Sequence, residues 1–213
     1  MKETYPGAKC TLDFNTPFEL LIATILAAQC TDEKVNQITP GLFRKYPSPE
    51  AFAQADPAEL EAIIRPTGFF RQKTRSIIEA SRDIVAKHGG KVPQTMEGLT
   101  ALRGVGRKTA NLLLGVAFKQ PAIIVDTHVK RVSNRLGLST SSNPDKIEQE
   151  LAQIVSKTDW TISNHLLVAH GRAICKAPTP LCEICPLLHL CPFGQVMGDG
   201  AWGRESGAGV SGS

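Results

Sequence analysis

Apolar side chains recur at three- and four-residue intervals along most of the chain and rarely alternate with a period of two, so the pattern predicts helices. Thr16-Pro17-Phe18-Glu19 combines an N-cap residue, a proline suited to the first helical turn and an acid three residues after the cap. Leu20, Leu21, Ala23, Ile25 and Leu26 follow, apolar almost all round, as in a buried helix. Thr31-Asp32 opens a second helix, which Pro40-Gly41 is expected to close. Ser48-Pro49-Glu50 starts a short one, and Asp56-Pro57-Ala58-Glu59 reads as a second capping box ahead of Leu60, Ile63 and Ile64. After a break at Pro66-Thr67-Gly68, a helix over 71–88 turns Ile77, Ile78, Ala80, Ile84 and Val85 inward and stops at Gly89-Gly90. Further helices are expected from Thr95 to about Leu102, from about Arg107 to Phe118, from Thr127 behind an Asp126 cap, from Asn143-Pro144, and over 161–174. Residues 194–213, rich in glycine and serine, are expected to form a disordered tail. With no strand signal and no internal repeat, the fold class is all-α.

Composition narrows the picture modestly. Hydrophobic residues make up 42% of the 213 positions, enough to bury a core, and the net charge of +4 permits a polyanionic partner without demanding one. No run of 18 apolar residues exists, so no membrane partner is expected. The start, MKETYPGAKC, lacks an apolar signal core and the Arg/Ser bias of a transit peptide, which points to the cytoplasm. Six cysteines in that compartment are poor candidates for structural disulfides, and four of them crowd into residues 175–191.

Three constellations carry chemistry. In Leu102-Arg103-Gly104-Val105-Gly106-Arg107-Lys108-Thr109-Ala110, two glycines bracket an apolar residue between two helices. Glycine lets the main chain turn tightly and leaves amides uncovered, and with a helix N-terminus behind them those amides suit a phosphate. A plain packing turn has the same glycines, but the following Lys, Thr and Ala give the form of a helix-hairpin-helix DNA-binding motif. Lys108 stands in the first turn after the hairpin, where the positive helix end and Arg107 disfavour a protonated amine and favour a nucleophile. Asp126 emerges from the apolar run Ala122-Ile123-Ile124-Val125 and supplies a carboxylate, although a lone Asp before a helix is usually only a cap. Finally, Cys175-x6-Cys182-x2-Cys185-x5-Cys191 can wrap one metal centre. The spacing alone serves zinc and an iron–sulfur cluster equally.

Taken together and in order, the L-x-G-V-G-x-K-T-A hairpin, the V-D-T-H-V-x-R-V segment and the cysteine run resemble the endonuclease III family of helix-hairpin-helix DNA glycosylases, over roughly residues 10–193. The resemblance implies two helical domains flanking a DNA-binding cleft. Residues 10–120 would form a barrel-like domain carrying the hairpin; residues 1–9 and 121–193 would form a domain holding a [4Fe–4S] cluster on Cys175, Cys182, Cys185 and Cys191. It implies a monomeric enzyme of base excision repair that acts on damaged double-stranded DNA, in the cytoplasm and on the bacterial nucleoid when bound. Oxidised pyrimidines are removed, and the strand is cut 3′ to the abasic site by β-elimination, with Lys108 as nucleophile and Asp126 as its carboxylate partner. DNA contacts carried over by motif fall on Gln29, which would fill the void left by an everted nucleotide, on Gly104, Val105, Gly106 and Lys108, and on His128 at the base pocket. Phe69 would wedge the opposite strand, where the family usually has leucine. Lys130 and Arg131 are candidates for phosphate, and Lys176 and Arg172 for basic groups near the cluster.

Three alternatives make different predictions. A monofunctional adenine or mismatch glycosylase would usually lack the lysine after the hairpin. A non-catalytic DNA-binding iron–sulfur module would bind without covalent trapping. A zinc-stabilised interaction protein would reduce Lys108 and Asp126 to a surface charge and a cap, and would be colourless.

Overall fold

The computed structural model describes residues 1–198, and among them every regular element is helical. Contacts between Cα atoms divide the chain into two compact units, one spanning Cys10–Ala122 and the other joining Met1–Lys9 to the chain from Ile123 onward.

The Cys10–Ala122 unit is built on α1 (Pro17–Ala27), whose Leu20, Leu21, Ile22, Ala23 and Leu26 are wholly buried. Thr16 caps it by accepting from the Glu19 N–H, and Glu19 reaches back to the Asn15 N–H at 2.6 Å, which fixes the entry of the chain. Helix α2 (Asp32–Lys45) runs on through Pro40-Gly41 instead of ending there. Val35, Thr39 and Leu42 form a buried stripe at helical spacing, so burial on both sides of the proline outweighs its one missing N–H. After α3 (Pro49–Ala53) comes α4 (Pro57–Ile64), capped by Asp56. Only half of the expected second capping box forms, because the Glu59 carboxylate goes to Lys45 and to the Tyr46 hydroxyl. Helix α5 (Phe70–His88) is the longest element and packs along α1, α3 and α4.

The segment behind α5 is more broken than its periodicity suggests. Helix α6 (Met96–Thr100) ends before Leu102, and α7 (Arg107–Leu112) gives way to a π-helical turn over Leu113–Ala117. There the Phe118 N–H reaches five residues back to the Leu113 carbonyl at 3.1 Å.

The other unit has its own core of Ile123, Val125, Val129, Val132, Ile147, Leu151, Leu167 and Cys175. Helices α8 (Thr127–Arg135), α9 (Pro144–Ile154) and α10 (Trp160–Ala173) supply it. The chain then winds through short turns at Cys182–Ile184 and Leu188–Leu190 into α11 (Pro192–Gly198). Residues 194–198, expected to open a disordered tail, are helical instead. Phe193 lies under the Arg135 guanidinium at 4.6 Å, and the Gly194 N–H donates to Cys191 Sγ at 3.3 Å, contacts that order the start of this helix. The rest of the expected tail, residues 199–213, lies outside the described residues.

Candidate active site and cysteine pocket

Within the Cys10–Ala122 unit, the hairpin is held from below by α5. Gly104 has φ +78°, and a Cβ built on it would fall 2.7 Å from Ser76 Cβ, so both its conformation and its proximity to α5 exclude a side chain. Arg103 Nε meets Glu79 at 3.0 Å, a second tie to the same helix. Val105 is buried, so its side chain anchors the turn in the core. Gly106 differs from Gly104: an added Cβ would touch nothing within 4 Å, and it stands at the N-cap of α7. Two residues on, Lys108 is exposed in the first turn of that helix, where the helix end gives a positive local field.

Two further candidates share an unusual backbone. Gln29 and Phe69 have φ of +54° and +47°, the left-handed region that costs a non-glycine residue about 1–2 kcal/mol. Both are exposed, Phe69 at 61%. An extended helix end would have placed Gln29 differently; instead α1 stops at Ala27 and the chain turns sharply before Thr31 caps α2. A large apolar ring held outward at the cost of backbone strain is a feature that packing alone does not call for.

In the other unit, Asp126 is half-buried at the N-cap of α8, where its Oδ1 accepts from the Val129 N–H at 2.7 Å. His128 and Arg131 lie one turn apart and meet at 3.1 Å through His128 Nδ1 and Arg131 Nη2. Arg131 is occupied within the unit: Nε donates to the Cys175 carbonyl at 3.1 Å and Nη2 to the Gly171 carbonyl at 3.0 Å. The expectation that Arg131 contacts phosphate gives way to a bracing role between α8 and α10.

All four C-terminal cysteines are free thiols, and all four line one pocket of about 320 Å³, its open mouth included, together with His170, Leu188 and Phe193. Burial pushes the Cys182 thiol up, and repulsion by Cys185, Cys175 and Cys191 adds to it, while Arg135 opposes. Four sulfurs within electrostatic reach of one another need a cationic group to be stable as thiolates, which fits a metal centre. Among the described residues no group of three or more His, Cys, Asp or Glu side chains is arranged to hold a metal ion.

A family model for the HhH-GPD superfamily of base excision DNA repair proteins matches residues 22–157. Endonuclease III of Synechocystis sp. is 51% identical over 92% of this chain and 90% of its own length. Endonuclease III of Bacillus subtilis is 45% identical over 91% and 89%. The chain belongs to the endonuclease III family. A solved structure of a trapped endonuclease III–DNA covalent intermediate is similar in fold, with a TM-score of 0.88, 45% identity and 92% coverage of both chains.

With the endonuclease III fold established, several supporting residues stand out that the linear reading passed over. Arg135 is a base beside the cysteines: Nη1 donates to Cys175 Sγ at 3.4 Å and to the Lys176 carbonyl at 2.8 Å, and Nη2 to the Pro178 carbonyl at 3.2 Å. Its position four residues after Arg131 on one helix face was the available signal. Buried His170 is the other: its Nδ1 is 2.9 Å from the Tyr5 hydroxyl and its Nε2 is 3.7 Å from Cys185 Sγ. No sequence spacing links Tyr5 to His170, 165 positions away.

Proposed function

We infer that this endonuclease III family member is a bifunctional DNA glycosylase and abasic-site lyase, removing oxidised pyrimidines from duplex DNA and then cutting the strand. The observation that carries the reading is the hairpin, whose uncovered Gly106 main chain leads directly into the positive first turn that bears Lys108. Its main-chain amides grip backbone phosphate, which sets register without reading sequence. A damaged base is everted, at a cost of a few kcal/mol that weakened pairing reduces.

The Lys108 amine attacks the anomeric carbon of the everted nucleotide, and the base leaves with the bonding electrons. Asp126 stabilises the positive charge that develops on the sugar and serves proton transfers. The bond between the anomeric carbon and the ring oxygen then breaks, the oxygen taking a proton, to leave a lysine–sugar Schiff base; this acidifies the neighbouring C–H, and loss of that proton expels the 3′ phosphate. Gln29 fills the vacated stack, Phe69 wedges the opposite strand, and His128 borders the base pocket. The strained, outward-held backbones at Gln29 and Phe69 support that assignment.

Cys175, Cys182, Cys185 and Cys191 would hold a [4Fe–4S] cluster. Their common pocket and mutual charge repulsion support it. When bound, the cluster would cross-link the loop, its cationic core offsetting part of the charge of the four thiolates. Iron and acid-labile sulfide in the purified, yellow-brown protein would establish it; stoichiometric zinc would overturn it. The enzyme acts as a monomer in the bacterial cytoplasm, on the nucleoid; no described helix is long and apolar enough to cross a membrane.

Borohydride reduction on duplex DNA carrying one oxidised pyrimidine tests the chemistry. The native protein should form a covalent adduct, and Lys108→Gln should form none while still binding the duplex. An adduct that survives in the variant assigns the nucleophile elsewhere, and none from the native protein removes the lyase.

A further inference from the structure

We propose that Lys73 is a positioning residue that ties the Gln29 loop and the Phe69 loop into one unit, so that void filling and strand wedging occur together. The proposal rests on the roles assigned above to Gln29 and Phe69. Lys73 lies in the first turn of α5 and is 4% exposed, an ammonium group almost entirely out of water. Its Nζ donates to two main-chain carbonyls, Leu26 at 2.7 Å and Thr67 at 2.8 Å. Leu26 is three residues before Gln29, and Thr67 is two before Phe69.

Each attachment has a local reason. At the end of α1 the Ala28 N–H turns to the Ile25 carbonyl and the Cys30 N–H to the Ala27 carbonyl, and Lys73 takes the Leu26 carbonyl between them. Helix α1 has no basic residue in its own last turn, so α5 supplies the cation that the negative helix end favours. On the other side Thr67 is itself fixed, buried and donating its hydroxyl to the Ile64 carbonyl at 2.8 Å. The Lys73 main-chain N–H adds a bond to the Phe69 carbonyl at 3.1 Å. Burial lowers the Lys73 pKa, with Cys30 opposing in part, so the two carbonyls are what hold the charge in place. An apolar side chain of similar length would fill the same volume without this penalty. What the amine adds is a fixed distance between two loops whose key residues sit in strained backbone that only surrounding contacts can maintain.

The test uses Lys73→Met, which conserves volume and removes the donors. Single-turnover excision of an oxidised pyrimidine in a fully paired duplex is compared with β-elimination at a preformed abasic site in single-stranded DNA, where there is no stack to fill and no partner strand to wedge. The paired-duplex rate should fall on the order of tenfold to a hundredfold, with the single-stranded rate within about twofold of native. Placed in a Gln29→Ala/Phe69→Ala background, Lys73→Met should cause no further loss. Should Lys73→Met fail to fold, Lys73→Gln, too short to span both carbonyls, carries the same comparison. Equal slowing on both substrates makes Lys73 a general structural residue and overturns the proposal, as does a duplex loss that multiplies with the loop substitutions. If Gln29→Ala/Phe69→Ala itself works at the native rate on the paired duplex, the loop assignment fails first and the clamp with it; if that variant is slow but Lys73→Met is not, only the clamp fails.

Discussion

Gly104 and Gly106 sit two positions apart in one turn, yet alanine should act on them in opposite ways. At Gly104 the new methyl meets two penalties. The backbone is held at φ +78°, which costs an alanine about 1–2 kcal/mol. The methyl would also lie 2.7 Å from Ser76 Cβ and 2.8 Å from its Oγ. Ser76 is buried in α5 and its Cβ cannot swing away as the end of a long side chain could, so the turn or the helix must shift, at about 1–3 kcal/mol. Gly104→Ala should therefore lose about 2–5 kcal/mol in urea unfolding followed by the helical circular dichroism signal.

At Gly106 the backbone is extended and an added Cβ meets nothing within 4 Å, so Gly106→Ala should lose only the N-cap preference of glycine over alanine, about 0.5–1 kcal/mol. The same empty space is where a phosphate would approach. Losing one charge-assisted main-chain contact there should weaken duplex binding by about 1.5–3 kcal/mol, read as fluorescence anisotropy of labelled duplex at fixed salt. Ser76→Gly relieves the clash but not the φ penalty, so the cycle with Gly104→Ala should show a coupling of about 1–3 kcal/mol. Strict additivity in that cycle, or a Gly104→Ala protein as stable as the native one, would refute the close-approach argument. A Gly106→Ala protein that binds DNA normally would refute the phosphate argument.

Asp126→Asn should slow base release strongly in single-turnover assays while leaving stability nearly unchanged, because asparagine also caps a helix; Asp126→Ala should in addition lose about 1 kcal/mol of stability with the Val129 N–H bond. Equal excision rates for native and Asp126→Asn proteins would remove the carboxylate from the mechanism. The only two tyrosines, Tyr5 and Tyr46, both have raised pKa values, chiefly through burial, and Tyr46, which also donates to Glu59, is pushed up to about 12. The folded protein keeps the Tyr46 proton that an unfolded chain releases near pH 10, so its stabilisation is intact below pH 10 and is lost as pH rises towards 12. A rapid pH jump with ultraviolet detection should find Tyr46 still protonated at pH 10 before unfolding, and Tyr46→Phe should remove the native ionisation step near pH 12. With the proposed cluster on the four cysteines, Arg135→Met should loosen the cysteine loop, seen as faster bleaching of the cluster's visible absorption under oxidant; an unchanged rate would show that its bonds to Cys175 and Pro178 do not shield the site.

What could be read from the chain is what is local. Thr16, Thr31, Ser48, Asp56, Asp126 and Asn143 each cap the helix expected of them, because a cap bonds within three residues and needs no distant partner. The hairpin glycines and the cysteine run were legible for the same reason. The misread boundaries share a different cause. Pro40 lies inside α2 because Leu42, beyond it, is buried against the rest of its unit, and Glu59 abandons its capping box for Lys45 and Tyr46, groups from a different helix. Local propensity gave way in both places to a contact that the sequence does not announce.

The same distinction explains why α5 was underestimated. Its periodicity marks an ordinary amphipathic helix, and Lys73 and Ser76 are residue types that would normally face water. In the structure Lys73 ties two candidate DNA-contacting loops, Ser76 sets how closely the hairpin approaches, and Glu79 holds Arg103. These positions follow one another at helical spacing, so a single rigid element fixes every candidate DNA contact of the Cys10–Ala122 unit. Candidate residues on loops work only when something rigid sets their spacing, and here the hairpin that precedes Lys108 and both strained loops depend on that one helix. A substitution on its buried polar face should therefore alter discrimination between paired and unpaired DNA before it alters the chemical step, whereas one in its apolar stripe, such as Ile77→Ala, should cost about 2–5 kcal/mol of stability with no such preference.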